Sequence, residues 1–216
     1  MTAPDSEERK RRWDELYRGR DVETLPWFYP GLDPDFAAAL EERDLAPGSA
    51  VLDLCTGPGT QALAMAERGF SVTAMDIADP AVGQACLEAR KQGLDITFRQ
   101  NDILDNRLEQ PFDLVLDRGC YHVFPLERRR QYVPAVAGML KTGGFLFLKC
   151  FSNRETRPEG PYRISPQEIE RLFPPLFEVM AIRHTVFQNV NREPEPKALF
   201  CVMRRSLMEH REEPNE

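Results

Sequence analysis

Acid and glycine meet in one short stretch, Asp53-Leu54-Cys55-Thr56-Gly57-Pro58-Gly59-Thr60, directly after the apolar run 50–54. A strand that turns into a helix here presents the carboxyl end of a parallel sheet, where ligands of open α/β sheets bind. Gly57 and Gly59 carry no side chain to hold a ligand away from the backbone, and the helix that follows offers unpaired N–H groups. Two cofactors compete for such a loop. Gly57-Pro58-Gly59-Thr60-Gln61-Ala62 fits the GxGxxA dinucleotide pattern, which would make the chain an NAD-dependent oxidoreductase. Asp53 argues for the other: a carboxylate beside the turn repels a pyrophosphate but suits an ammonium. S-adenosylmethionine (SAM) brings an ammonium and no phosphate, and its product is S-adenosylhomocysteine (SAH). A tight turn without a ligand is the remaining reading.

Two more acids stand at comparable places. Asp76 ends the next apolar run, 23 residues after Asp53, where an acidic residue can accept hydrogen bonds from ribose hydroxyls. Asp102 follows the third run and can accept from an adenine amine, with Ile77 and Ile103 packing beside the ring. Beyond the fourth run comes Asp117-Arg118-Gly119-Cys120-Tyr121-His122. His122 is the candidate general base for an oxygen or nitrogen nucleophile; its alternative is a structural histidine. Asp117 either orients substrate or cofactor, or caps the strand end and pairs with Arg118. Tyr121 is assigned to the substrate side.

The elements that position these residues alternate. Strands are expected at 50–54, 70–75, 95–99, 112–116 and 145–148, and helices at 59–68, from 79 to about 92, and 127–140 with an interruption or kink at Pro134. Ser165-Pro166-Gln167-Glu168 is a capping box for a short helix over 166–173. Extended runs 177–187 and 198–203, joined by a polar, proline-bearing stretch, read as an antiparallel pair. The fold expected is a doubly wound, mostly parallel seven-stranded α/β sheet with an antiparallel C-terminal hairpin, in a single domain. An N-terminal helix and aromatic segment (1–32) would precede that domain (33–204), and a polar tail (205–216) would follow.

The loop resembles that of class I SAM-dependent methyltransferases, an acidic residue followed by GxGxG, with Cys55 standing at the first glycine. Later segments are similar to the thiopurine S-methyltransferase family and its tellurite-resistance relatives. They are Trp13-Asp14-Glu15-Leu16-Tyr17-Arg18-Gly19, Phe112-Asp113-Leu114-Val115-Leu116-Asp117-Arg118-Gly119, and Gly160-Pro161-Tyr162 with Pro166-Gln167-Glu168-Ile169-Glu170-Arg171-Leu172-Phe173. The resemblance spans residues 13–173. It implies that Trp13 covers the cofactor, that Trp27 and Phe28 line the substrate side, and that Arg118 touches the ligand site. A cationic sulfonium favours aromatic faces; the alternatives are core anchors for the aromatics and an ion pair for Arg118. The implied reaction is methyl transfer to a small-molecule nucleophile: a thiol, a related chalcogen or a heteroaromatic. A non-catalytic SAM-binding module or partner subunit is the reading from another class.

Composition narrows the partners. With 35 acidic against 28 basic side chains and a net charge of −7, diffuse attraction to nucleic-acid phosphates is weak. The Asn/Asp-Pro-Pro-aromatic motif of enzymes that methylate base amines is absent. Arg128-Arg129-Arg130 reads as a solvated helix face. No apolar run approaches the ~20 residues of a membrane span, and segment 6–12 is too charged for a signal-peptide core. A cytoplasmic monomer with neither a membrane nor a nucleic-acid partner is expected. Five cysteines without a CxxC pair predict neither a disulfide framework nor a zinc site. Cys55, Cys120 and Cys150 nevertheless follow strands adjacent in the expected order, where soft thiolates could hold arsenite or another soft metalloid.

Overall fold

The structure is a computed structural model; it describes residues 5–105, 108 and 110–207. Seven strands form one sheet in the order β3-β2-β1-β4-β5-β7-β6. They are β1 (Ala50–Leu54), β2 (Ser71–Asp76), β3 (Ile96–Gln100), β4 (Phe112–Arg118), β5 (Leu140–Phe151), β6 (Phe177–Val186) and β7 (Lys197–Arg205). The first five run parallel, and β7 enters antiparallel between β5 and β6. Among the described residues the helices are α1 (Ser6–Tyr17), α2 (Pro34–Glu41), α3 (Thr60–Glu67), α4 (Asp79–Lys91), α5 (Leu126–Met139) and α6 (Pro166–Leu172). None is long and apolar enough to cross a membrane.

Both faces of the sheet are buried, and strand alternation divides the core in two. Leu52, Leu54, Val115, Leu146, Leu148 and Leu199 point to the side covered by α5 and α6. Val51, Leu114, Leu116, Phe147 and Phe200 point to the side covered by α2 and α3. A third, smaller cluster joins Tyr17 of α1, Leu25, Ala78 and Ala81, with Trp13, Trp27 and Phe28 packed against it. It fastens the N-terminal segment over the carboxyl ends of β1 and β2.

Three sequence expectations change here. α5 runs through Pro134 without the expected interruption. Pro134 lies on the exposed side of the helix, where water can satisfy the carbonyl that loses its N–H partner. Arg129 is buried, not solvated: it pairs with Glu168 at 2.9 Å and lies over the rings of Tyr121 and Tyr162. β5 is 12 residues long rather than a short run, starting before Gly143 and Gly144. The expected polar tail lies, from residue 208 on, outside the described residues.

The register between β4 and β5 shifts between Phe112 and Leu114, opposite Gly144. A Cβ at Gly144 would stand 2.9 Å from the Lys141 carbonyl oxygen, 3.0 Å from that of Asp113 and 3.1 Å from that of Phe112. Backbone cannot yield as a flexible side chain does. Gly144→Ala is therefore expected to lower unfolding free energy by about 1–3 kcal/mol, read as a lower urea midpoint at unchanged slope; an unchanged midpoint would contradict this packing.

Candidate active site

The loop after β1 turns through Cys55 (φ 48°), Gly57 (φ 50°) and Gly59 (φ 81°), all in the left-handed region. Packing enforces glycine at two of these positions. A Cβ on Gly57 would come within 2.8 Å of the Tyr17 hydroxyl oxygen, and one on Gly59 within 2.8 Å of the Ala85 Cβ. The loop and the N-terminal segment enclose a cavity of about 40 Å³. It is lined by Tyr17, Trp27 and Phe28 from the N-terminal segment, by Asp53–Pro58, Thr60 and Gln61 around the loop, and by Arg118.

Three carboxylates are buried where β2, β1 and β4 end. Asp53 accepts from the Thr56 hydroxyl at 2.6 Å; loss of water raises its carboxyl to about 7, opposed by the bonds from Thr56 and the Ala62 N–H. Asp76 accepts from the N–H of Gly57 at 3.0 Å and of Ala78 at 2.9 Å; burial raises it to about 6. Asp117 accepts from the N–H groups of Gly119, Cys120 and Tyr121 and from the Tyr132 hydroxyl; burial again raises it to about 6.

A second polar cluster seals the other side. Lys149, fully buried, donates to Asp33 Oδ1 at 2.7 Å and to Gln188 Oε1 at 2.7 Å, and pairs with Asp35 at 2.7 Å. Arg118 pairs with Asp33 at 2.7 Å and donates to the carbonyls of Trp27 (3.0 Å) and Gln188 (2.5 Å). Its guanidinium lies over Tyr29 and Phe187. Two strand ends thereby hold both the segment carrying Trp27 and the connection between β6 and β7.

The cavity thus gathers Asp53, Cys55, Gly57, Trp27, Phe28 and Arg118 among the residues expected from sequence, while Gly59 and Asp76 support the loop from behind. The others lie elsewhere. Trp13 packs behind Tyr17 and Trp27, with ring centroids 6.2 and 6.3 Å away. Asp102, expected at an adenine amine, is held instead by Ser6 and Arg9 of α1 and by the Leu104 N–H. Ile103 is in the α5-side core, and Ile77 is half-buried outside the cavity lining.

Three expectations need correction. Tyr121 is wholly buried against Tyr132 and Phe173 and donates to Glu168, facing α5 and α6 rather than the substrate side. His122 accepts the Phe151 N–H at Nδ1 (2.9 Å), between the rings of Phe151 and Phe187. Burial holds it near 3, so it is neutral with its one lone pair already engaged; it is no general base. Asp117 follows its second reading and caps the turn after β4 without lining the site, although Arg118 pairs with Asp33 and not with it. Cys55 and Cys120 form a disulfide, which the spacing of five scattered cysteines did not announce. It takes two of the three thiols considered for a metalloid, and Cys150 is buried and free.

Tyr17, Thr56, Gln61, Asp33 and Lys149 were not singled out from sequence. Only Tyr17 carried a signal, lying one helical turn after Trp13.

Comparison with known proteins agrees with this geometry. Residues 51–144 match a family model described as a methyltransferase domain. The chain is 26% identical over 180 residues to a thiopurine S-methyltransferase of Legionella pneumophila, covering 73% of this chain and 77% of the relative. A protein solved in work on conversion of a disulfide into a thioacetal during echinomycin biosynthesis shares the fold with TM-score 0.80, 24% identity and 93% of each chain covered. The 1,6-didemethyltoxoflavin-N1-methyltransferase of Burkholderia thailandensis, solved with its acceptor and SAH, superposes with TM-score 0.71 at 21% identity, over 95% of this chain and 92% of that one. Fold and loop define a class I SAM-dependent methyltransferase. Within that class the chain is similar to the thiopurine S-methyltransferases, and its cofactor is SAM.

Removing Lys149 leaves the fully buried Asp33 with Arg118 as its single cation and Asp35 with none. Lys149→Met is expected to cost about 3–5 kcal/mol of stability, measured by urea denaturation; a loss under about 1 kcal/mol would show that the cluster does not hold the segment carrying Trp27.

Proposed function

We propose that this methyltransferase acts on a small aromatic or heteroaromatic thiol, or a related chalcogen nucleophile. The observation that carries the reading is the aromatic pair Trp27 and Phe28 in the lining of a cavity whose one carboxylate, Asp53, is the group suited to the cofactor's ammonium. His122 and Asp117 are engaged by backbone groups, and Arg118 is held by Asp33. A thiol loses its proton readily and needs little base catalysis, whereas an alcohol or amine is slow without it. The names of the relatives support a flat acceptor: one acts on thiopurines, and another was crystallised with a didemethylated toxoflavin.

The residues present fit SAM. Asp53 is 2% exposed, its described partners are neutral donors, and its carboxylate neighbours share its sign; such a site favours a cation. When bound, SAM supplies a methyl group on a cationic sulfonium. Asp53 would hold the ammonium, and Asp76 would keep the Gly57 N–H and the loop in shape. Tyr17 and Trp27 would set ring faces against the positive charge. A cavity of about 40 Å³ is far below the roughly 300 Å³ at the small end of ligand sites. The segment up to residue 32 would therefore act as a lid that lifts for entry, then closes to align the nucleophile and exclude water. Arg118 and Lys149 would hold the C-terminal end of that segment in place while its helix end opens.

Two measurements test this reading. With no base supplied by the protein, SAH formation from a series of heteroaromatic thiols should rise with pH along each acceptor's own thiol ionisation; a phenol or amine isostere turned over as fast as the thiol would contradict it. Asp53 must ionise to bind an ammonium, and its free-state value lies at about 7. Affinity for SAH is thus full above that pH and falls as pH drops through it, about tenfold between pH 8 and pH 6. Asp53→Asn should weaken binding and flatten the dependence; an equally steep dependence in the variant would assign it to another group.

A further inference from the structure

We propose that Cys55 and Cys120 form a reversible thiol–disulfide site that gates the cofactor cavity, with the oxidised form closed to SAM and the reduced form open. This rests on the methyltransferase reading of the same cavity. Leu54 and Asp117 are register partners in adjacent parallel strands, so the two cysteines follow β1 and β4 at neighbouring strand ends, with Cα atoms 5.7 Å apart although 65 residues separate them. That spacing lies within the range a disulfide spans without backbone movement.

Position makes the bond consequential. Cys55 lines the cavity and holds φ 48°, a conformation natural to glycine and costly for a side-chain-bearing residue, on the order of 1–2 kcal/mol. A cysteine kept there has a use for its sulfur. Cys120 is 1% exposed, and its N–H is bound by Asp117 at 2.6 Å. The bond therefore ties the cofactor loop to the cap of the turn after β4, at the spacing that bounds a cavity of about 40 Å³. The other cysteines cannot replace either partner. Cys150 and Cys201 are buried and free, their thiols pushed up by burial, Cys201 to about 12, and Cys86 is on α4.

The exchange balances with a small thiol as reductant. Two RSH molecules reduce the Cys55–Cys120 bond, leaving two protein thiols, each with one of the protons, and one RSSR; the reverse needs only a small disulfide.

The test uses the full-length protein, treated either with oxidised glutathione or with dithiothreitol, each then removed. Alkylation under denaturing conditions counts thiols, and calorimetric titration with SAH reads the cavity. Three alkylated cysteines in the oxidised protein and five in the reduced one are expected, with SAH binding at least tenfold tighter in the reduced form. Cys120→Ala should bind SAH with one affinity under both treatments. Five alkylated cysteines after oxidant would overturn the inference, and so would equal affinity in both wild-type forms. No SAH binding in either form would overturn the cofactor reading and this inference with it; equal binding leaves the cofactor reading intact.

Discussion

Three carboxylates buried side by side, at the ends of β2, β1 and β4, set the terms for the rest of the structure. Each loses water on folding and is pushed up by that loss, Asp53 furthest, to about 7. Burial of a charge is tolerated when hydrogen bonds replace the lost water, and the three differ in how far this is done. Asp117 receives three N–H groups and a hydroxyl, which shapes the turn after β4. Asp76 receives the N–H groups of Gly57, Ala78 and Ile77 and so fixes the loop after β1. Asp53 is left with a hydroxyl and one N–H among neighbours of its own sign. It is the member of the set that an external cation would complete.

A second charged cluster answers the first across the cavity. Lys149 and Arg118 converge on Asp33, and through it two strands that end in the sheet core hold a segment with little buried surface of its own. α1 buries Tyr17, with Trp13 and Leu16 packed beside it, and is otherwise attached by polar contacts, from Lys10 to Asp79 and from Ser6 and Arg9 to Asp102. The Lys10–Asp79 pair, with Asp79 exposed, is individually weak. The lid is thus anchored firmly at its C-terminal end and lightly along its helix, an arrangement suited to opening at the helix end while Trp27 stays near the site.

The sheet was legible because a buried parallel strand writes a mostly apolar run: 50–54, broken only by Asp53, coincides with β1, and the strand order follows from the resemblance and the terminal hairpin. α2 was not foreseen, since Pro34–Glu41 is short and its cap, Asp33, has a larger role as the counter-ion of two cations. The glycine loop and its acids were readable because their chemistry is local. What could not be read was which polar groups find protein partners. Arg129 belongs to a charged run yet is drawn inward by Glu168 and two tyrosine rings. His122 sits beside the site in sequence but gives its lone pair to a backbone amide from β5. The Cys55–Cys120 bond likewise depends on a register known only once β1 and β4 pair. Partners far along the chain decide all three.

Direct titration of the Asp53 carboxyl carbon by NMR, with Asp53→Asn to assign the signal, tests the central claim most closely. In the free protein the carboxyl should titrate near pH 7, and saturation with SAH should move that titration down toward the ordinary carboxylate range as an ammonium takes up the charge. An Asp53 already titrating near 4 without ligand, or one whose midpoint SAH leaves in place, would contradict the account of a buried carboxylate held ready for a cation.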